Sequence, residues 1–410
     1  MKILFVSNLY PPNAVGGYEE LCWNVACQMS ARGHDVTVLT SCQGRKVSHW
    51  PQQTVHQALR MLVGSTVYDA FTGPVYRRLA IQDQNVEALR SAIEKCRPDV
   101  IFCWNLYGLD RSMFDALVAT GSAIVTMLTD NWLASMINPE RVNAYFAKVV
   151  HGRQRLEDLE EGRDQVTTLP AQVSAIFGAE YMRDFYKGSG LLFKKSRVVH
   201  NGVDLPPAGL EHPAARHATT SASAFRLLFA GRIVEIKGTH TAIEALGKLR
   251  RQRPDVHWQL DIVGETLDAA YLTRLRELAV REQCTNNVHY LGKVDPSALP
   301  SLFAERDVYL FPSYYEPFSL TLIHAIASGI PTVASSVGGN FEIVRDGETG
   351  LLARRGDSAD FTRAILQLHD NVELRSRISR QGAQHARTYS MKAMIDGMEA
   401  CLQQASEELR

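Results

Sequence analysis

The sequence predicts an α/β protein with two parallel-sheet domains. Short apolar, β-branched segments alternate with helical patterns along the chain, and strands of this kind are covered by helices on both faces of a sheet. The 410 residues exceed one ordinary core and fit two domains of roughly 200 residues each. Both halves also open with the same succession of strand, glycine-containing loop and helix. We therefore expect two domains of similar construction.

In the first half, an initial apolar strand leads into a loop rich in proline and glycine. A helical pattern then predicts a helix over Tyr18–Arg32, which Gly33 ends. Residues 43–66 lack a clear period and stay unassigned. Residues 131–162 are predicted to be mostly helical, either shaping a binding site or forming a solvated helix pair. The predicted strands are Lys2–Ser7, Val36–Thr40, Val100–Trp104, Ala123–Leu128 and Val166–Leu169.

The second half repeats this pattern after a stretch rich in Pro, Ala, Ser and Thr, residues 205–224, which we interpret as a linker. A helix is predicted over Thr239–Arg253. The terminal segment Ser390–Arg410 has apolar residues at helical spacing, so we expect it to form a helix that packs back on the first domain. The domains are therefore predicted at 1–204 and 225–389. The predicted strands are Arg226–Ala230, His257–Val263, Val288–Leu291, Val308–Phe311 and Thr332–Ala334.

Composition excludes several classes of function. Lys plus Arg equals Asp plus Glu at 44 each, so no global charge favours a nucleic-acid partner. No apolar run reaches the length of a membrane span, and the N-terminus begins directly with a strand, which favours a cytoplasmic protein. Seven cysteines are scattered without a C-x-x-C pair, which argues against a disulfide framework or a structural zinc site.

Two cations follow the first strand of the second half. Arg232 and Lys237 lie in a loop bounded by Gly231 and Gly238. Ligands of parallel α/β sheets bind at the carboxyl ends of strands, and cations with free N–H groups there suit a diphosphate. A basic pair in a solvated loop is the commoner alternative. The flanking glycines and the position after a strand favour the ligand site.

A carboxylate and a helix start follow another strand. Glu316 comes after the predicted strand Val308–Phe311. Phe318, Ser319 and Leu320 are predicted to open the next helix and to direct their backbone N–H groups at phosphates. The alternative for Glu316 is an ordinary first-turn acid that the helix dipole stabilises. We favour a functional carboxylate.

These segments together resemble the retaining nucleotide-sugar glycosyltransferases of family 4, which have the GT-B fold. The resemblance runs nearly end to end and is specific because the motifs occur in the family's order and spacing. It implies two Rossmann-like domains that face each other across a cleft, a nucleotide-sugar donor as co-substrate, and neither cofactor nor metal. The motifs are Pro11-Pro12, Gly16-Gly17-x-Glu19, Asn201-Gly202-Val203-Asp204, Gly231-Arg232, Glu235-x-Lys237-Gly238, Val263-Gly264-Glu265, Asp307-Val308, Pro312-Ser313, Glu316–Leu322, Ala327–Pro331, Gly338-Gly339-Asn340-x-Glu342, and Asp346-Gly347 with Thr349-Gly350-Leu351.

The resemblance also implies roles for individual residues. Arg232 and Lys237 would contact the donor diphosphate, and Glu316 the hydroxyls of the donor sugar; these three are the predicted catalytic residues. Glu19 is as well explained by helix capping, and the glycines at 338 and 339 by a simple turn. The residues predicted to bind the donor are Gly16, Gly17, Thr129, Asp130, Gly231, Gly264, Phe318, Ser319, Leu320 and His324.

Two residues depart from the family pattern. His324 stands where relatives carry a second Glu that grips the nucleotide ribose, and a neutral imidazole offers only one donor and one acceptor. Thr129 stands where relatives carry a His that reaches the donor sugar near its C6. A thymidine-diphosphate 6-deoxysugar lacks the 2′-hydroxyl and the C6 hydroxyl, so this donor would explain both departures. An ordinary UDP- or GDP-sugar bound through neighbouring residues is the alternative.

The predicted reaction follows from the resemblance. Attack on the same face of the sugar would retain the anomeric configuration, with the leaving phosphate taking the acceptor proton. The acceptor hydroxyl stays unassigned among natural products, polysaccharides and lipid-linked glycans. Basic residues at Lys187, Lys194, Lys195 and Arg197 allow weak peripheral contact with anionic lipid, although a solvated surface is favoured. A catalytically inactive partner or activator subunit of the same fold is the alternative function. A sugar-nucleotide epimerase or a sugar-phosphate-using enzyme of this fold is a third.

Overall fold

The computed structural model describes residues 1–47, 50, 53–67, 69–147, 166–205, 224–266 and 268–409. The chain divides into two compact units, of which one comprises Met1–His200 with Lys392–Arg410 and the other comprises Asn201–Met391. Residues 201–204, predicted to belong to the first domain, therefore lie in the second unit. The predicted linker and the end of the helical insertion fall largely outside the described residues.

The first unit contains a seven-stranded parallel sheet with strand order β3-β2-β1-β4-β5-β7-β9. Its central strands are apolar and buried on both sides, as parallel sheets require. Two short strands, β6 and β8, pair separately. The strands are β1 (Lys2–Val6), β2 (Asp35–Ser41), β3 (Thr54–Leu59), β4 (Val100–Cys103), β5 (Ile124–Leu128), β6 (Thr167–Thr168), β7 (Val173–Phe177), β8 (Leu191–Leu192) and β9 (Ser196–Val198).

Helices connect these strands, and the C-terminal helix belongs to this unit from Lys392 onward. The charged insertion contains two short helices within its described residues. The helices are α1 (Gly17–Ala31), α2 (Val75–Cys96), α3 (Arg111–Ala119), α4 (Trp132–Ile137), α5 (Pro139–Tyr145), α6 (Glu180–Gly188) and α14 (Met391–Leu409).

One predicted strand of this unit needs correction, and three strands of its large sheet were not predicted. The strand predicted at Val166–Leu169 shrinks to Thr167–Thr168 and pairs with β8 instead of joining the large sheet. The unassigned stretch 43–66 contains β3, an edge strand that is only partly buried and so lacks a clean apolar pattern. Strands β7 and β9, which were not predicted, complete the other edge.

The second unit contains a six-stranded parallel sheet with strand order β12-β11-β10-β13-β14-β15. The strands are β10 (Phe225–Ala230), β11 (Trp258–Val263), β12 (Val288–Gly292), β13 (Val308–Phe311), β14 (Thr332–Ser335) and β15 (Leu351–Ala353). The helices are α7 (Thr239–Gln252), α8 (Ala269–Arg281), α9 (Leu299–Ala304), α10 (Leu320–Ala327), α11 (Asn340–Ile343), α12 (Ser358–Asp370) and α13 (Val372–His385).

Local chemistry explains where these helices begin. The side chain of Asp268 accepts a hydrogen bond from the backbone N–H of Tyr271 at the start of α8, and Asn371 does the same for Leu374 at the start of α13. The sheet and helices of this unit enclose one apolar core that includes the fully buried Trp258. The prediction of two parallel-sheet α/β domains is therefore confirmed.

Each sheet reverses its strand order at one point, between β1 and β4 in the first unit and between β10 and β13 in the second. Ligands of doubly wound sheets bind outside the carboxyl ends of the strands at such a point. In the second unit, the loop 231–238 follows β10 and the loop 312–319 follows β13. The fold therefore places the predicted cations and the predicted carboxylate on the two loops that flank the reversal.

Candidate functional site

Lys237 and Glu316 form an ion pair at the strand reversal of the second unit. The Lys237 ammonium lies 2.6 Å from Oε2 of Glu316, and the two side chains are only 19% and 8% exposed. The ammonium also lies 6.0 Å from the centre of the Phe311 ring. A pair so shielded from water orients both groups more firmly than a surface pair does. Two of the three predicted catalytic side chains are thus brought together.

Close backbone packing joins the two loops that carry this pair. Gly238 has φ +71°, and a Cβ on it would lie 2.0 Å from the carbonyl oxygen of Pro312. The backbone N–H of Tyr314 donates to the carbonyl of Ile236 at 2.8 Å. Only glycine allows the first loop to approach the second this closely. Gly238 therefore sets the distance between the two loops, because it packs directly against the backbone of Pro312.

Gly264, predicted to bind the donor, has a structural reason to be glycine. Its φ is +151°, and a Cβ on it would lie 1.8 Å from the carbonyl oxygen of Gly231. Gly231 itself has room, because the nearest atom to an added Cβ belongs to Phe229 at 3.7 Å. Gly264 thus supports the Gly231 loop from behind. Packing therefore does not require glycine at 231, and the donor contact predicted for this residue stays a prediction.

Arg232, the third predicted catalytic residue, is exposed on the same loop. Its neighbour Ile233 is buried and donates its backbone N–H to the carbonyl of Glu265 at 2.9 Å. Because adjacent residues in extended backbone point to opposite sides, anchoring Ile233 inward turns Arg232 outward. The guanidinium therefore lies on the exposed side of the loop that carries Lys237.

Helix α10 begins directly after Glu316, as predicted. Ser319 is its N-cap, and its hydroxyl accepts a hydrogen bond from the N–H of Leu322 at 3.2 Å. The other N–H groups of the first turn have no partner within the helix, and the helix dipole favours an anion beside them. The Phe318 ring is buried and packs edge-on against Tyr389.

His324 lies one turn further along α10, on the same helix face as Leu320. The two residues are half-buried while their neighbours Leu322 and Ile323 are buried. Burial lowers the pKa of His324, and the nearby carboxylate of Asp204 opposes this shift. A helix rises about 1.5 Å per residue, so His324 lies about 6 Å beyond the helix start. That offset suits a nucleoside whose diphosphate lies at the helix N-terminus.

In the first unit, Glu19 is a helix cap. Its carboxylate accepts hydrogen bonds from the backbone N–H groups of Gly16 at 2.9 Å and Val15 at 3.3 Å. Burial raises the pKa of Glu19. These contacts favour the capping interpretation of Glu19. Gly16 has extended backbone with φ −162°, and a Cβ there would meet no atom within 4 Å, so packing does not require glycine at this position.

Asp130 also lies at a strand end of the first unit, beyond β5. Its carboxylate accepts a hydrogen bond at 3.0 Å from the N–H of Trp132, the first residue of α4. Burial raises the pKa of Asp130 to about 6, and the charge of Glu19 adds to this shift. The nearby Tyr18 hydroxyl donates to the carbonyl of Trp104 at 2.8 Å. The donor contacts predicted for Gly16, Gly17, Thr129 and Asp130 stay predictions.

Three further expectations concern lipid contact, metal binding and a membrane span. Lys195, counted among the possible lipid contacts, pairs with Glu408 of α14. Among the described residues, no group of three or more His, Cys, Asp or Glu could hold a metal ion. No helix in that part of the chain is long and apolar enough to cross a membrane.

Some residues near the pair were not predicted. His240, Tyr271 and Tyr314 form hydrogen bonds with one another beside the two loops. The three residues stand far apart in sequence, and the only local signal was that Tyr314 stands two residues before Glu316. Asp204 was noted as part of a motif, but its proximity to His324 depends on the tertiary fold.

Two family models match the chain. The model described as Glycosyltransferase Family 4 matches residues 15–206, and the model described as Glycosyl transferases group 1 matches residues 217–385. Among curated proteins, a glycogen synthase of Mycobacterium tuberculosis is 28% identical over 405 residues, covering 93% of this chain and 90% of the relative. A D-inositol 3-phosphate glycosyltransferase of Paenarthrobacter aurescens is 28% identical over 334 residues, covering 80% of this chain and 79% of the relative.

Solved structures share the fold. Sucrose-phosphate synthase from Thermosynechococcus elongatus aligns with a TM-score of 0.73 at 19% identity, covering 98% of both chains. The Anabaena protein HepE in complex with UDP and glucose aligns with a TM-score of 0.68 at 18% identity, covering 98% of this chain and 100% of that one. At such identities the likeness concerns the fold, a pair of Rossmann-like domains of the GT-B type.

Proposed function

Because the chain belongs to the family 4 glycosyltransferases, which have the GT-B fold, we propose that it transfers a sugar from a nucleotide-diphosphate sugar to an acceptor hydroxyl. The observation that carries this proposal is the shielded Lys237–Glu316 pair beside the N-terminus of α10. A cation, a carboxylate and free N–H groups at a strand reversal offer contacts to a diphosphate and to sugar hydroxyls together. HepE, a neighbour in fold, binds UDP-glucose, which supports a nucleotide-sugar donor.

The proposed chemistry needs little beyond position and charge. Cleaving the bond between sugar and diphosphate develops negative charge on the leaving group. Lys237, Arg232 and the N–H groups of α10 would stabilise that charge, while Glu316 holds the sugar by its hydroxyls. We include in the proposal that transfer proceeds without a metal and with retention of anomeric configuration. Nuclear magnetic resonance of the product gives the configuration directly, and an inverted product contradicts retention.

We expect Lys237→Ala and Glu316→Gln each to lower donor cleavage by at least about a hundredfold, because each removes a group that acts on the transition state. Release of nucleoside diphosphate measures the rate. Arg251→Ala is the matched control, since Arg251 pairs with Glu282 at 2.9 Å on the surface of the same unit. Near-normal rates in the Lys237 and Glu316 variants would remove these residues from the reaction.

The donor is distinguished by a panel of UDP-glucose, GDP-mannose and a thymidine-diphosphate 6-deoxysugar. His324 and Thr129 favour the thymidine nucleotide, because neither residue offers the family's usual contacts to the ribose diol and to C6. Clear preference for UDP-glucose or GDP-mannose would contradict this choice while leaving the glycosyltransferase proposal intact. His324→Glu should shift preference toward the ribose nucleotides if the proposed donor is correct.

The same two residues favour one alternative function. A subunit that binds a partner or activates a sister enzyme could lose contacts to the donor without cost. The presence of Lys237, Glu316 and Arg232 at the family's positions argues against this alternative. A protein that nucleotide sugars stabilise against heat but that cleaves none of the three donors would support it.

A further inference from the structure

A chain of three hydrogen-bonded side chains lies beside the Lys237–Glu316 pair in the second unit. Nδ1 of His240 lies 2.7 Å from the Tyr271 hydroxyl, and Nε2 of His240 lies 2.9 Å from the Tyr314 hydroxyl. His240 is half-buried in the first turn of α7, and Tyr271 is buried on α8. The imidazole thus bridges two hydroxyls that come from different parts of the fold.

The direction of these hydrogen bonds follows from the backbone. The Tyr271 hydroxyl oxygen accepts the backbone N–H of His240 at 3.3 Å, so its own proton is available to Nδ1. Burial lowers the pKa of His240, which keeps the ring neutral, and burial raises the pKa of Tyr271 to about 12. With Nδ1 as acceptor, Nε2 carries the ring proton and donates it to Tyr314. Every polar atom of the imidazole is then used.

This chain is connected to both loops of the proposed donor site. Tyr314 stands two residues before Glu316, and its backbone N–H donates to Ile236, the neighbour of Lys237. His240 follows Lys237 by three residues. Gly356, with φ +68°, leaves room for the hydroxyl of Tyr314. A Cβ at position 356 would lie only 2.7 Å from that hydroxyl. One end of the Glu316 loop is therefore tied to the helix that begins directly after the Lys237 loop.

We propose that His240 is a positioning residue that holds Glu316 at its distance from Lys237 through the Tyr314 hydroxyl. The inference rests on the proposed donor role of that pair. The Lys237–Glu316 distance of 2.6 Å joins loops from two different strands, and a shift of about 1 Å in either would weaken contacts that depend on orientation. Tyr271 in turn fixes the ring of His240, so the orientation originates in the buried face of α8.

Three variants at one position separate positioning from simple packing. His240→Gln places an amide nitrogen near the Nε2 position and keeps a donor to Tyr314. His240→Asn places its amide near Nδ1 and keeps only the link to Tyr271, and His240→Phe keeps neither. We expect the dissociation constant of the preferred panel donor to rise about tenfold in the Asn and Phe variants, which is the loss of about one hydrogen bond. We expect the Gln variant to stay within about threefold of the wild type.

The binding of a nucleoside monophosphate supplies the second readout, measured by calorimetry beside the intact nucleotide sugar. The monophosphate lacks the distal phosphate and the sugar, so loss of positioning at Lys237 and Glu316 should leave its affinity within about twofold. General damage to the domain would weaken both ligands equally. Equal weakening of both ligands in His240→Phe, or the same nucleotide-sugar affinity in all three variants, overturns the inference.

Tyr314→Phe and Tyr290→Phe give a matched comparison. The buried Tyr290 hydroxyl has no hydrogen-bond partner among the described residues, so its removal should leave nucleotide-sugar affinity unchanged. Tyr314→Phe should reproduce the effect of His240→Phe. If Tyr314→Phe binds the nucleotide sugar as the wild type does, the inference is wrong.

The failure of this inference is distinguishable from failure of the proposed function. If Lys237→Ala and Glu316→Gln lose donor cleavage while His240→Phe keeps its nucleotide-sugar affinity, only the positioning role is overturned. If the Lys237 and Glu316 variants cleave the donor normally, the proposed function itself fails at this site, whatever the His240 variants show.

Discussion

Glycine serves two different purposes among the residues at the strand ends. Gly264 is fixed by its backbone angle and by the carbonyl of Gly231, which its hydrogen nearly touches. Gly231 and Gly16 have ordinary backbone surroundings with room for a side chain. The first kind supports the loop from within the protein, and the second kind leaves space that we propose the donor uses. Both kinds of glycine belong to sequence motifs of the family, and only their packing in the structure distinguishes one kind from the other.

We predict that Gly264→Ala destabilises the protein by at least about 2 kcal/mol and weakens nucleotide-sugar binding, because the added methyl displaces the Gly231 loop. Gly292→Ala is the control. Gly292 also has a positive φ, +74°, but its Cβ would meet no atom within 4 Å, so only backbone strain of about 1 kcal/mol applies. Urea unfolding and calorimetry test both variants. Equal effects in the two would show that the contact with Gly231 is unimportant.

The raised pKa of Asp130 predicts that the stability of the folded protein depends on pH. Burial raises its pKa from 3.8 to about 6, so the folded state holds the proton more tightly than the unfolded chain does. Stability should therefore fall as the pH rises from about 4 to about 6, by up to about 3 kcal/mol from this group. Asp130→Asn keeps an acceptor for the N–H of Trp132 and removes the ionisation.

We expect Asp130→Asn to be more stable than the wild type at pH 7.5 and to lose that advantage near pH 4. Urea unfolding at a series of pH values measures the difference. An advantage that is the same at both pH values would contradict the raised pKa. The residual dependence from Glu19, whose pKa is also raised by burial, remains in both proteins.

The sequence indicates candidate residues that lie close to one another along the chain. It does not indicate contacts between residues that only the tertiary fold brings together. Lys237, Glu316 and Ser319 could be chosen as candidates because each lies in a loop that follows a recognisable strand. The contact of His240 with Tyr271 and Tyr314 joins α7, α8 and a loop, and nothing local in the sequence distinguishes these side chains from ordinary core residues.

The C-terminal helix α14 shows how an element far along the chain becomes part of the first unit. Arg32 forms ion pairs with Asp396 and Glu399, and His34 contacts Glu399 at 2.7 Å. Exposed pairs of this kind contribute little individually. Apolar residues of the same helix, including Met398 and Leu402, are fully buried and contribute more. The packing of this apolar face is the main reason the helix belongs to the unit.

Gly397 of α14 packs closely against Val199, the residue that follows β9. A Cβ on it would lie 2.9 Å from a methyl group of Val199, which explains a glycine in mid-helix despite its cost. We predict that Gly397→Leu destabilises the protein by about 1–3 kcal/mol, because the β-branched Val199 cannot move aside. Ala400→Leu, on the exposed side of the same helix, should change stability by less than about 0.5 kcal/mol. Similar urea midpoints for the two variants would contradict this packing.

Elements were predicted well where the apolar pattern is strong. The strands β1, β10 and β13 were predicted within one residue because they are buried on both faces and bounded by loop residues. Edge strands such as β3 carry mixed, half-buried residues, so their pattern resembles a loop. Strand β15 has only three residues, which is too short for any period to register.

Both units of the molecule repeat one topology, a parallel sheet whose strand order reverses beside its first strand. This repetition was predictable from the identical openings of the two halves. A family motif follows the first strand of the sheet in both units. Gly16 and Gly17 follow β1, while Arg232 and Lys237 follow β10. The ion pair that the fold assembles lies in the second unit. We therefore propose that the diphosphate binds in that unit.

A crystal structure of the protein with a bound nucleoside diphosphate such as UDP tests this assignment most directly. We predict that the diphosphate lies at the N-terminus of α10, within hydrogen-bond distance of the Lys237 ammonium and of backbone N–H groups at Ser319 or Leu320, with the ribose beside His324. A diphosphate bound away from the reversal of β10 and β13, with no contact to Lys237, would contradict the central claim.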